Sequence, residues 1–105
     1  MHTLLIVDDE EIEREGMAQF IPWDTYKMKV VGTARNGAEG LEKIAKYKPD
    51  LAIVDIKMPV MNGIVMCRKL KEDLRTSHIP IILLTVKGLF ARLRKRGIKW
   101  VLTLI

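Results

Sequence analysis

The sequence predicts a doubly wound α/β domain on a parallel sheet, and three observations carry that expectation. Thr3-Leu-Leu-Ile-Val7, Asp50-Leu-Ala-Ile-Val-Asp55 and Ile79-Pro-Ile-Ile-Leu-Leu84 are short, continuous apolar runs. Segments with apolar residues at helical spacing alternate with them. Each run stops on oxygen-bearing side chains: Asp8-Asp9-Glu10 after the first, Asp55 at the end of the second, Thr85 after the third. Unbroken apolar runs of this length read as strands covered on both faces, the signature of parallel sheets. Parallel strands all point one way, so these polar ends gather along the carboxyl edge, where open α/β sheets bind ligands.

The elements follow in order. After the first strand, Glu10–Phe20 places Ile12, Met17 and Phe20 near one helical face among Glu13, Arg14 and Glu15, and Pro22-Trp23-Asp24 closes the helix. Met28–Thr33 reads as a weaker strand at a sheet edge. Asn36-Gly37 is a turn in which Asn36 can cap a helix; Ala38, Leu41, Ile44 and Ala45 then repeat at helical spacing up to Lys48-Pro49. Met58-Pro59 and Asn62-Gly63 form a tight loop ahead of a helix over Ile64–Leu74, with Cys67 on its core side near Met66 and Leu70. Beyond the third apolar run, 87–97 reads as a basic helix. Trp100-Val-Leu-Thr-Leu-Ile105 has the composition of a fifth strand with no fifth helix after it.

A chain of 105 residues predicts one domain over 1–105, and 49% hydrophobic residues are enough for a core. The single cysteine excludes an internal disulfide and fits a reducing compartment. No signal peptide is legible before the acids at 8–10, and no apolar stretch approaches the ~18 residues of a membrane span. These features predict a cytoplasmic protein without a membrane role. The net charge of +5 is unevenly placed: residues 1–88 carry thirteen basic and thirteen acidic residues, while 89–105 carry five basic residues and no acid. That tail could meet nucleic acid or anionic lipid; a solvated charge run is the simpler reading. His2 and His78 lack a second ligand at metal spacing and read as surface residues.

Three carboxylates and a hydroxyl at one sheet edge make a site for a hard cation and a phosphoryl group. An aspartate can accept a phosphoryl group as an acyl phosphate, but an anion must then attack an anion. Neighbouring acids aggravate that repulsion and raise one another's pKa unless a cation offsets them. Mg²⁺ suits such a site, because it prefers oxygen ligands and keeps several waters beside one or two carboxylates. On this chemistry Asp9 and Asp55 hold the metal with Asp8 behind them, Asp55 is the nucleophile, and Thr85 hydrogen-bonds a phosphoryl oxygen. A lone acid would simply end a strand; the paired acids and the Pro-x-x-Asn-Gly pattern after the third predicted strand argue against that reading here.

Leu5-Ile-Val-Asp-Asp-Glu10, Pro49-Asp50-Leu-Ala-Ile-Val-Asp55, Ile56-Lys-Met-Pro59, Asn62-Gly63 and Ile79-Pro-Ile-Ile-Leu-Leu-Thr85 together resemble the receiver domain of bacterial two-component response regulators, over residues 3–88. The resemblance implies a flavodoxin-like five-stranded sheet of order 2-1-3-4-5. It implies Asp55 as phosphoacceptor, Asp8 and Asp9 as an acid pocket, a main-chain carbonyl of Lys57 on Mg²⁺, and Thr85 as the switch hydroxyl. The implied partner is a sensor histidine kinase, with homodimerisation open; transcription regulation is implied for the regulator as a whole, not DNA binding by this domain. No conventional enzymatic activity is implied beyond self-phosphorylation from phosphodonors and autodephosphorylation. Arg14-Glu-Gly-Met17 with Ile21-Pro-Trp23 is similar to regulators carrying an AraC-type output domain.

The chain also departs from the pattern. The lysine, aromatic switch residue and fifth helix of the family have no counterpart after Thr85, and Val86 replaces a usual small residue. Trp100-Val-Leu-Thr-Leu-Ile105 can be encoded so that a shifted frame reads Gly-Ala-Asp-Ala-Tyr, the family's sequence before that lysine. A frame slip or truncation after about residue 88 would explain the atypical tail, and the coding DNA decides it. The departures leave a second reading, a phosphorylation-incompetent remnant acting at most through protein contacts. Lys57 and Lys87 are expected to tune aspartyl-phosphate lifetime.

Overall fold

The computed structural model describes residues 1–56, 58 and 60–84. Strands β1 (His2–Val7), β2 (Met28–Ala34), β3 (Leu51–Asp55) and β4 (Ile81–Leu84) alternate with helices α1 (Glu11–Phe20), α2 (Gly37–Tyr47) and α3 (Gly63–Glu72). A single 3₁₀ turn, Trp23–Tyr26, joins α1 to β2. The described strands form one parallel sheet in the order β2-β1-β3-β4, the doubly wound order expected for them. The expected fifth strand, the basic helix, Thr85, Val86, Lys87 and Lys57 lie outside the described residues.

The apolar runs become strands because both sheet faces are covered. Leu4, Leu5, Ile6 and Val7 are all fully buried, as are Ala52 and Val54 of β3. Alternation then sorts these residues by face. Leu5, Val7, Ala52 and Val54 point into a core shared with Ile44 of α2 and with Met66, Cys67 and Leu70 of α3. Leu4, Ile6 and Ile53 point to the opposite face, packed by Met17 and Ala18 of α1 and by Trp23. β2 is the edge strand expected, and it carries an irregularity: the β1 partner shifts from Val30 to Gly32 between Leu4 and Leu5.

The predicted cap at Asn36 forms, and the structure adds a second at Asn62. The Asn36 side chain accepts from the Glu39 N–H at 2.8 Å, and Asn62 accepts from Val65 N–H at 2.9 Å. α2 ends where the Lys48 backbone turns left-handed (φ 47°) and its N–H donates to the Ile44 carbonyl. Pro49 follows, a residue common just past a helix end because it cannot continue the helix.

Two predicted helix faces are corrected. In α1, Ile12 and Phe20 point to solvent, 88% and 84% exposed; the inward face is Arg14, Met17 and Ala18. In α2 the buried positions are Gly37, Gly40 and Ile44, while Ala38 and Ala45 are exposed. A Cβ on Gly40 would stand 2.7 Å from Met66 Cε and 3.1 Å from Val7 Cγ2, so α2 approaches the sheet too closely for any larger residue without movement of Met66. α3 begins at Gly63 and ends at Glu72, slightly earlier than predicted at both ends.

Candidate functional site

Strand register builds the site. β1 lies between β2 and β3, and Val7 pairs with Val54, so the residues that follow them, Asp8 and Asp55, stand side by side at the carboxyl edge. Asp9 follows at the start of the β1–α1 connection. One carboxylate oxygen from each of Asp8, Asp9 and Asp55 lies within 4.8 Å of the others. Asp8 and Asp55 are buried, 2% and 7% exposed. The three acids singled out from the sequence are thus brought together. Lys57 and Thr85 are outside the described residues, although Leu84, which precedes Thr85, pairs with Asp55.

Asp8 is gripped at three points. Its N–H donates to the Ala34 carbonyl at 3.0 Å, its Oδ1 accepts from Glu10 N–H at 2.9 Å, and its carbonyl accepts from Arg14 Nη1 at 3.1 Å. Burial pushes the Asp8 carboxyl above the usual carboxylate range; the Glu10 N–H opposes that shift, and the charges of Glu13, Asp9 and Glu10 add to it. The site is therefore built at an electrostatic disadvantage, which a bound cation would relieve.

Asp9 presents the complementary signal. Among the described residues its Oδ1 is the only buried side-chain polar atom with no hydrogen-bond partner. Buried carboxylate oxygens are normally satisfied, so an unsatisfied oxygen on a residue of this carboxylate cluster fits a ligand to a hard cation.

The loop after Asp55 is held by backbone contacts. Gly63 N–H donates to the Ile56 carbonyl at 2.8 Å, and Gly37 N–H at the start of α2 donates to the Met61 carbonyl at 3.2 Å. A Cβ at Gly63 would collide with the Asp55 carbonyl oxygen and stand 2.9 Å from Ile56 Cα. Only glycine lets α3 begin directly against the Asp55 backbone. Val60, 85% exposed, adopts φ 68°, a left-handed conformation that β-branched residues rarely take.

Sequence reasoning missed Arg14 and the packing role of Gly63. In the sequence Arg14 stands among Glu13 and Glu15 with no direction assigned to its side chain, yet it is 9% exposed. A basic residue within an acidic helix start was the available signal, and it does not reveal which way the side chain turns.

An open parallel α/β domain with a carboxylate cluster at the ends of β1 and β3 defines a class of acid-pocket domains able to hold a cation beside a candidate phosphoacceptor. The pattern of the response regulator receiver domain matches residues 4–100, and the chain belongs to that family, a domain of two-component, phosphorelay signalling. It is 40% identical over 85 residues to a response regulatory protein of Staphylococcus epidermidis, an alignment covering 81% of this chain and 32% of that protein. It is 45% identical over 64 residues to the transcriptional regulatory protein HptR of Staphylococcus aureus, covering 61% of this chain and 25% of HptR. The chain thus spans a third or less of the curated relatives it matches. Its fold is similar to the receiver domain of AraT, a response regulator from Geobacillus stearothermophilus, with a TM-score of 0.77 and 31% identity over 95% of this chain and 76% of that one. The receiver domain of a signal transduction histidine kinase from Syntrophus aciditrophicus gives a TM-score of 0.73 at 32% identity, over 82% of this chain and 63% of that one. Among the described residues no helix is long and apolar enough to cross a membrane.

Proposed function

We propose that this receiver domain is a phosphorylation switch in which Asp55 accepts a phosphoryl group from a phosphohistidine on a sensor histidine kinase. An Asp55 carboxylate oxygen attacks phosphorus, the phosphorus–nitrogen bond breaks, and its electron pair returns to the imidazole, which is left neutral or takes a proton. Asp8, Asp9 and Asp55, with the main-chain carbonyl of Lys57, would hold Mg²⁺, which when bound supplies positive charge against the transferring oxygens. The Glu10 N–H, donating to Asp8 Oδ1, fixes the orientation of that carboxylate in the pocket. Thr85 is assigned the hydroxyl that hydrogen-bonds the phosphoryl group, by its place in the sequence after β4. Any output domain and its target genes belong to the longer proteins that this chain resembles, and homodimerisation of the domain stays open.

The observation that carries the reading is the meeting of three carboxylates within 4.8 Å while a buried Asp9 oxygen lacks a hydrogen-bond partner among the described residues. Intact mass after incubation with Mg²⁺ and acetyl phosphate tests it. One phosphoryl adduct, absent from Asp55→Asn and from samples with excess EDTA, is the expected result. A folded wild-type protein that gains no adduct would instead be a phosphorylation-incompetent domain acting through protein contacts.

A further inference from the structure

Arg14 occupies a position that local energetics oppose. It sits in the first turn of α1, where the helix dipole disfavours a cation, and among the described residues it is the one buried cationic side chain. Burying a guanidinium is unfavourable unless its donors are used. The used donor is informative: Nη1 turns back past the start of α1 and donates to the main-chain carbonyl of Asp8 at 3.1 Å. Nε lies 3.6 Å from Glu15 Oε1, which holds the other side of the guanidinium. Side chains in helices lean toward the N-terminus, so the fourth residue of α1 is well placed to reach the strand end.

The carbonyl chosen belongs to the peptide unit that joins Asp8 to Asp9. Asp8 is already fixed at its N–H by Ala34 and at its carboxylate by Glu10. Fixing the carbonyl as well sets the peptide plane, and with it the direction in which Asp9 leaves the strand. Asp9 is the residue whose Oδ1 is buried without a hydrogen-bond partner among the described residues. We infer that Arg14 is a positioning residue for the metal pocket: its guanidinium locks the Asp8–Asp9 peptide so that Asp9 is held ready for a cation before one arrives. The inference rests on the Mg²⁺ reading above. It also accounts for Arg14 within the Arg14-Glu-Gly-Met17 segment, while Trp23 Nε1, donating to the Met17 carbonyl at 2.8 Å, anchors the other end of the same helix.

The test is Mg²⁺ affinity, measured by calorimetry on the full chain for wild type, Arg14→Lys and Arg14→Met. Groups that orient metal ligands typically change affinity by about 10- to 100-fold when removed. Arg14→Met is expected to bind Mg²⁺ at least about tenfold more weakly, with Arg14→Lys, which keeps a donor, in between. Ile44→Val, chosen to lower the melting temperature from the far side of the sheet, is expected to leave Mg²⁺ affinity unchanged; a merely structural Arg14 would behave like it. Unchanged affinity in a folded Arg14→Met protein overturns the inference while leaving the metal site intact. Wild type that fails to bind Mg²⁺ removes the functional reading and this inference together. Should Arg14→Met not fold, the Arg14 guanidinium resonances of wild type decide the matter: they are expected to move with Mg²⁺ at the same midpoint as the pocket amides, and resonances that stay still refute the role.

Discussion

At the scale of single residues, Asp8 shows how site chemistry and stability pull apart. Its folded-state carboxyl is raised, chiefly by burial, so the charged form is less welcome in the folded chain than in the unfolded one. A raised acid stabilises the fold below the unfolded value and loses that contribution as pH rises through the folded value. Without metal, Asp8→Asn should therefore melt higher than wild type at pH 7, and the gap should close as pH falls into the carboxylate range. Melting in EDTA across that range checks the sign; a variant that melts lower at neutral pH contradicts it. The same substitution should weaken Mg²⁺ binding. Cys67 is the opposite case, 1% exposed with its thiol pushed up to about 11 by burial, and it serves as core, as the sequence indicated. The Asn36 cap was equally legible, because an asparagine before a helical pattern has a local job that requires no knowledge of the rest of the fold; Asn62, read only as part of a tight loop, caps α3 in the same way.

At the scale of elements, the helices were legible in existence and not in orientation. α1 was expected to gather Ile12, Met17 and Phe20 on one face; Met17 does turn inward, partly buried beside Ala18, but Ile12 and Phe20 are exposed and Arg14 is the residue buried. Periodicity identifies a helix; when charged and apolar residues are mixed on a short helix it does not identify the inner face. The glycines carry the hidden packing information. Gly63→Ala would drive a methyl into the Asp55 backbone, which cannot move without displacing the candidate phosphoacceptor. Gly40→Ala would meet mainly the flexible end of Met66. Overpacking typically costs ~1–3 kcal/mol, and Gly63→Ala is expected at or above the top of that range with loss of phosphoryl acceptance. Gly40→Ala should lie near its lower end and keep the adduct. Urea melts with the mass assay separate the two; equal effects would mean that the Asp55 loop is less rigid than its contacts imply.

At the scale of the whole molecule, the two sheet faces are unequal. The larger core joins α2 and α3 to β1, β3 and β4, whereas the opposite face is packed by α1 and the turn at Trp23. The acid pocket lies at the end of β1 and β3, the central strands of the described sheet, so an ion bound there should be felt by the entire fold. A ligand that binds only the folded state at a hundred times its Kd stabilises by about 2.7 kcal/mol. Saturating Mg²⁺ is expected to raise the melting temperature of wild type accordingly and to leave Asp9→Asn almost unmoved. A shift of equal size in both would place the ion elsewhere.

Much of this was written locally. Unbroken apolar runs announce strands covered on both faces, their terminal acids announce the polar edge, and the pattern from Leu5 to Thr85 marks the family. These properties depend on neighbours in the chain and survive any arrangement of the elements. Tertiary structure decided the rest. The pairing of Val7 with Val54 sets Asp8 beside Asp55, close approach of backbone demands Gly63 and favours Gly40, and the turn of one guanidinium toward a carbonyl six residues earlier makes Arg14 a buried brace. Each of these depends on distances between elements, and a linear pattern does not specify such distances because many packings satisfy the same periodicity.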